Sequence, residues 1–156
     1  MTDKQQAANY LIGYREYAEL YQYTKQACIA VIDELRELIK RHSSGRHDEI
    51  MKALDQDIML YDIQHRDVLD WLKAVQIIEE RTTDKQREIL EASREGARQL
   101  KRTQRRTGRP GYALYAAGKT FYSETTIKRT ISGLAGRVAA LHKKGTSKGA
   151  ASAAGA

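Results

Sequence analysis

"YALYAAGKTFYSETTIKRTISGLAGRVAAL", from Tyr112 to Leu141, contains two helical patterns joined by a short break. Ile127, Ile131, Leu134, Val138 and Leu141 recur at steps of three and four, the period of one buried helix face. Ser123 stands just before that run, where its hydroxyl can accept a backbone N–H of the first turn, so it reads as the N-cap. Ala116 and Ala117 lie on a shorter preceding helix, whose small side chains allow two helices to cross closely. The sum is a helix-turn-helix pattern whose second helix exposes Thr125, Lys128, Arg129 and Ser132. Phe121 occupies the turn where such units commonly carry glycine, which implies a longer or differently angled turn.

Upstream, Thr83-Asp84-Lys85-Gln86 reads as a capping box opening a further helix, marked by Ile89, Leu90, Ala97 and Leu100. Arg94, Arg98, Lys101, Arg102 and Arg105 follow along it as one cationic stripe, with almost no acids after Glu95. A solvated face is the plain reading of such a stripe. Self-repulsion along it favours contact with phosphates, which would neutralise it. Gly108-Arg109-Pro110-Gly111 breaks that helix, and proline can open the next one at its first turn. The segment reads as a basic linker. Its Gly-Arg-Pro also resembles an AT-hook arm of the minor groove, with Thr107 in place of the usual arginine.

The chain has 27 Lys plus Arg and 20 Asp plus Glu, a formal net charge of +7, and divides them unevenly. Residues 1–80 hold 10 Lys/Arg and 15 Asp/Glu, whereas residues 81–156 hold 17 and 5. A basic segment set apart in this way attracts polyanions with salt-sensitive affinity. Nucleic acid is the commonest such partner, and an anionic membrane surface is the rival. No apolar run approaches the ~20 residues that span a bilayer, and the polar N-terminus lacks a signal segment, so no membrane partner is expected. The single cysteine, Cys28, excludes an internal disulfide framework and fits a reducing cytoplasm.

In the acidic half, Ala7, Tyr10, Tyr14, Tyr17, Tyr21, Thr24, Cys28, Val31, Leu35 and Leu38 alternate steps of three and four. Met51, Leu54, Ile58, Tyr61, His65, Val68, Leu72 and Val75 repeat the alternation. Such spacing over more than three heptads signals coiled-coil packing, and "RHSSGRH" (residues 41–47) suits the turn between the two helices. Folding about that turn pairs Leu38 with Met51, Leu35 with Leu54 and Val31 with Ile58. It also places the two polar members, Thr24 and His65, in one layer that would fix the register. The expected element is an antiparallel hairpin roughly 45–50 Å long at 1.5 Å per residue. Four of the five tyrosines between residues 10 and 23 fall on its seam, where packing accounts for them, while Tyr23 lies off it. Trp71 reads as core or interface.

No catalytic chemistry is legible. His42, His47, His65 and His142 lack metal-ligand spacing, and Cys28 has no partner cysteine for a zinc site. Neither a GxxxxGK[ST] loop nor a GxSxG elbow occurs. The expectation is no enzyme, no cofactor and no metal.

"NYLIGYREY…ELRELI", "HRDVLDWLKAVQIIEERTTDKQREIL" and "YSETTIKR" together resemble the ArpU/RinA-type phage late transcriptional regulators over residues 8–141. The C-terminal part of that family is similar to region 4 of sigma factors. The resemblance implies a phage or prophage protein in a bacterial host cytoplasm, one that binds DNA near a promoter and switches on late, packaging or lysis genes. By that analogy Ser123, Glu124, Thr125, Lys128 and Arg129 lie at the DNA. The chain departs from the family in carrying about a dozen extra residues between Leu90 and Ser123, mostly the basic "KRTQRRTGRPGY".

The expected architecture is all-α: a helical hairpin over 1–81 for oligomerisation, a basic helix-turn-helix domain over 82–142, and a disordered tail over 143–156. Lys101, Arg102, Arg105, Arg106 and Arg109 would anchor phosphates, with Lys119 and Ser123 beside them, while Thr125, Lys128, Arg129 and Ser132 read bases. The partners expected are double-stranded DNA, further copies of the chain through the hairpin, and RNA polymerase as a candidate. Two alternatives stay open: a phage small terminase subunit that binds a packaging site, and a helical adaptor that docks on an acidic protein or on RNA polymerase.

Overall fold

The computed structural model describes residues 1–42, 47–103 and 111–154, with side chains for 1–42, 47–100 and 111–145. Among these residues every regular element is a helix and there is no strand, as the composition implies. The helices are α1 (Asp3–Ile12), α2 (Tyr14–His42), α3 (His47–Gln64), α4 (Arg66–Glu80), α5 (Asp84–Thr103), α6 (Tyr112–Lys119) and α7 (Glu124–Ala154). Two compact units form, and their limits differ from the division expected near residue 81. Met1–Tyr14 joins Asp70–Ala156, and Arg15–Leu69 makes the other unit. α7 continues to Ala154, across most of the stretch read as a disordered tail.

The first unit is built on α7. α1 packs along it, and α6 sits against both α5 and α7. Two of the unit's helix starts are locally encoded. Thr2 and Gln5 close a reciprocal capping box on α1, and Thr83 and Gln86 close the expected one on α5. α1 stops at Gly13, whose N–H donates to the Asn9 carbonyl, so the N-terminal heptads do not run through as one helix. The α1 side of that break belongs to this unit's core: Ala7 and Leu11 are fully buried with Val75, Ile89, Ile127 and Leu134. Trp71, 2% exposed, is stacked between Tyr10 at 5.5 Å and His142 at 3.6 Å between ring centroids.

Arg94 corrects the cationic stripe. It is 3% exposed and spends its guanidinium inside the unit. Nη1 and Nη2 donate to the two Glu79 carboxylate oxygens at 2.8 and 3.0 Å, Nη1 also meets Glu91 at 3.2 Å, and Nε donates to the Leu11 carbonyl at 3.1 Å. One side chain therefore ties the end of α1 and the end of α4 to the middle of α5. The planar fork of arginine suits this two-pronged grip on a carboxylate, and the buried position requires the pairing.

Gly96 sets the crossing of α5 and α6. A Cβ there would lie 3.0 Å from the Tyr112 carbonyl oxygen and 3.1 Å from the Tyr115 Cβ. Ala113 and Ala116 of α6 are buried in the core of this unit. Tyr115 then reaches across to donate its hydroxyl to Glu95 at 3.0 Å.

In the second unit, side chains link α2 and α3 in opposite order along the two helices. Tyr21 and Lys25 meet Asp62, Thr24 meets Tyr61, and Arg36 meets Asp55. Thr24 reaches Tyr61 across the pair, not His65, the layer partner expected for it. The threonine hydroxyl lies 2.8 Å from the Tyr61 hydroxyl, and the His65 ring stacks on Tyr61 at 4.2 Å. On α3 the expected stripe, Met51, Leu54, Ile58 and Tyr61, is half-buried, as is His65 just after the helix. On α2 the sheltered residues include Tyr21 and Cys28 of the expected stripe together with Lys25, Ile29, Ile32, Arg36 and Ile39, whereas Val31, Leu35 and Leu38 are 56%, 42% and 51% exposed. The helix carries apolar residues on two neighbouring stripes, and beyond Cys28 the ion pairs of Lys25 and Arg36 go with the sheltering of Ile29, Ile32 and Ile39 rather than of Val31, Leu35 and Leu38. The hydrogen bonds from Tyr21 and Lys25 hold the Asp62 carboxyl below its usual value, and burial together with Asp62 pushes the Tyr21 phenol up.

Two substitutions probe these devices. Arg94→Met should cost about 3 kcal/mol in urea unfolding, the low end for breaking a buried pair, because Glu79 keeps some contact with solvent. Adding Glu79→Gln should recover part of the loss. Gly96→Val should lower stability by about 1–3 kcal/mol, the usual cost of overpacking a close helix crossing.

Candidate nucleic-acid interface

α6 ends at Lys119 and α7 begins at Glu124, with a short turn between them. The Thr120 N–H and its hydroxyl both donate to the Ala116 carbonyl, at 2.9 and 2.8 Å, closing the end of α6. Ser123 Oγ then accepts the Thr126 N–H at 3.2 Å, the N-cap its sequence position suggests, and α7 starts at Glu124. Between these two fixtures Tyr122 turns inward against the core, while Phe121 projects fully into solvent.

α7 has two faces from its first turn. Ile127, Ile131, Leu134 and Val138 are at most 2% exposed, so the expected buried stripe is the one the core uses, with Leu141 half-buried after it. Thr125, Lys128 and Arg129 are exposed on the opposite side and Ser132 is half-buried beside them, at spacings that keep all four near one face. Lys128 is tied to Glu124 one turn back at 2.9 Å, and that carboxylate pushes its ammonium above the usual lysine value. Both partners are largely exposed, so an incoming phosphate can displace the carboxylate at small cost. Arg129 makes no ion pair among the described residues. Burial pushes up the phenol of Tyr112, and the charge of Lys128 works against that rise.

Around this face lie further cations. Lys119 closes α6, with its ammonium 5.7 Å from the Tyr115 ring centroid. Lys85, in the first turn of α5, lies 4.9 Å from the Tyr122 ring centroid, and Arg137 is exposed further along α7. Lys85 and Arg137 were not singled out as site residues in the sequence. Arg137 could have been found from its place outside the apolar stripe. The position of Lys85 depends on the packing of α5 against the turn, which no spacing rule shows. Arg98 is exposed on α5, unlike Arg94. The backbone of Lys101 and Arg102 is in α5, but their side chains lie outside the described ones. Arg105, Arg106 and Arg109 lie outside the described residues, and with them the Gly-Arg-Pro reading.

The arrangement can donate many hydrogen bonds to an anionic surface. Among the described residues no group of three or more His, Cys, Asp or Glu could hold a metal ion, and no helix is long and apolar enough to cross a membrane.

Ser123→Ala should destabilise the start of α7 by about 1 kcal/mol, the usual value of an N-cap, with a matching drop in the thermal midpoint read by circular dichroism. No protein-family model, curated protein or solved structure matches this chain.

Proposed function

We propose that this protein binds double-stranded DNA sequence-specifically, as a transcriptional regulator of the phage late-gene kind that activates late or packaging genes. The observation that carries the reading is the two-sidedness of α7 at its very start. Ile127 and Ile131 are held in the core, while Thr125, Lys128 and Arg129 face solvent directly after a serine-capped turn. In this reading α6 and α7 form a helix-turn-helix, and the first turns of α7 enter the major groove. Arg129 and Lys128 suit guanine edges or phosphates, and Thr125 and Ser132 suit base edges or backbone. Lys119, Lys101, Arg102, Arg105, Arg106 and Arg109 supply phosphate contacts, in line with the 17 basic and 5 acidic residues of the second half.

The acidic unit serves self-association in this reading. Leu20, Val31, Leu35 and Leu38 on α2 and Ile63 on α3 are each more than 40% exposed, more apolar surface than a monomer needs to show. The same exposure also suits the second reading, a small terminase subunit assembled around a packaging site. A closed ring of many copies would favour that role, and a dimer bound upstream of a promoter would favour the regulator, with RNA polymerase as its further partner.

The test is binding of the full chain to fluorescent duplexes drawn from the gene's own genomic neighbourhood, titrated with salt. One duplex should be preferred over random sequence near ~150 mM salt. Arg129→Ala should weaken that duplex by about 1–3 kcal/mol and flatten its preference at one position. Unchanged DNA affinity in Arg129→Ala would instead favour an adaptor that uses the basic half to dock on an acidic protein.

A further inference from the structure

Phe121 is the only phenylalanine of the chain and its side chain is 105% exposed. A ring left in water forgoes the roughly 1.5–3 kcal/mol that burial would contribute, so the fold gains nothing from it. Nor is the turn short of ways to bury an aromatic, since its neighbour Tyr122 packs on the core beneath the Lys85 ammonium. The turn that carries the ring is pinned at both ends, by the two Thr120 bonds to Ala116 and by the Ser123 cap. The ring is therefore presented from a fixed position, two residues before the cap of α7. Cations flank it in sequence, Lys119 before it and Lys128 and Arg129 after it, and Lys85 lies over the adjoining tyrosine. The acid closest in sequence, Glu124, is paired with Lys128.

An apolar ring on a turn flanked in sequence by cations fits an anionic partner that also offers an apolar contact. In the major groove that contact is the thymine 5-methyl group, against which phenylalanine packs. A single ring is too small an anchor for a bilayer surface, where several apolar groups insert together. On the DNA-binding reading above, on which this rests, we infer that Phe121 is a specificity residue that recognises a thymine 5-methyl group next to the bases met by α7.

The experiment selects preferred duplexes from a random-sequence pool with the full chain, then replaces each thymine singly by deoxyuridine, which removes only the methyl group. One position per bound copy should lose about fourfold in affinity, the worth of one buried methyl group. Phe121→Ala should bind the thymine duplex about as weakly as the wild type binds that uracil duplex, and should be insensitive to the replacement. Its thermal midpoint should be unchanged, because the ring touches nothing that holds the fold. Selected duplexes that Arg129→Ala weakens and Phe121→Ala does not, with no position of Phe121-dependent uracil sensitivity, would overturn the inference and leave the DNA-binding reading standing. A rise in 2-aminopurine fluorescence lost in Phe121→Ala, without methyl sensitivity, would overturn it in favour of a wedge between bases. No selected duplex, with Arg129→Ala and Phe121→Ala both without effect on DNA, would overturn both readings. Loss in Phe121→Ala of binding to phosphatidylserine vesicles alone would assign the ring to lipid.

Discussion

A buried guanidinium organises the unit that carries the candidate interface. Arg94 sits at the meeting point of three chain segments and gives each a reason to stop or pass where it does. The Leu11 carbonyl, beside the break at Gly13, receives Nε, and the Glu79 carboxylate at the end of α4 receives the fork of the same side chain. Taking these groups out of water is costly, and they become stable only as a set. The residues around them inherit that constraint. With α1 tied to α5, Leu11 and Ala7 lie in the same core as Ile89 and Leu90, and α7 is covered along the side that α1 and α6 share.

What remains uncovered on α7 follows from that burial. A helix that gives Ile127, Ile131, Leu134, Ala135 and Val138 to the core has one face left, and in its first turns that face carries hydroxyls and cations. The serine cap and the threonine closure of α6 hold the intervening turn, so this surface has a defined approach to a partner. Charge acts over longer range than the turn does. In the proposed function it would draw a polyanion in, and the short-range geometry would then decide which groups are met.

The second unit follows a different logic. None of α3 is fully buried, and α2 buries only Tyr21 and Ile32. Polar links hold the helices in register while several leucines and isoleucines face water. The proposed self-association rests on that exposed apolar surface.

The sequence by itself determined whatever depends on near neighbours. The all-α class, the Thr83 and Ser123 caps, the buried stripe of α7 and the exposed set Thr125, Lys128 and Arg129 were all legible, because a cap or a helix face is written within four or seven residues. Tertiary structure decided the rest. Arg94 read as one more cation on a stripe, since its partners Leu11 and Glu79 are 83 and 15 residues away. Val31, Leu35 and Leu38 read as a seam, but α2 has two apolar stripes and its bonds to Asp55 and Asp62 go with the other. Heptad spacing records that a face can pack; only the packed partners determine which face does.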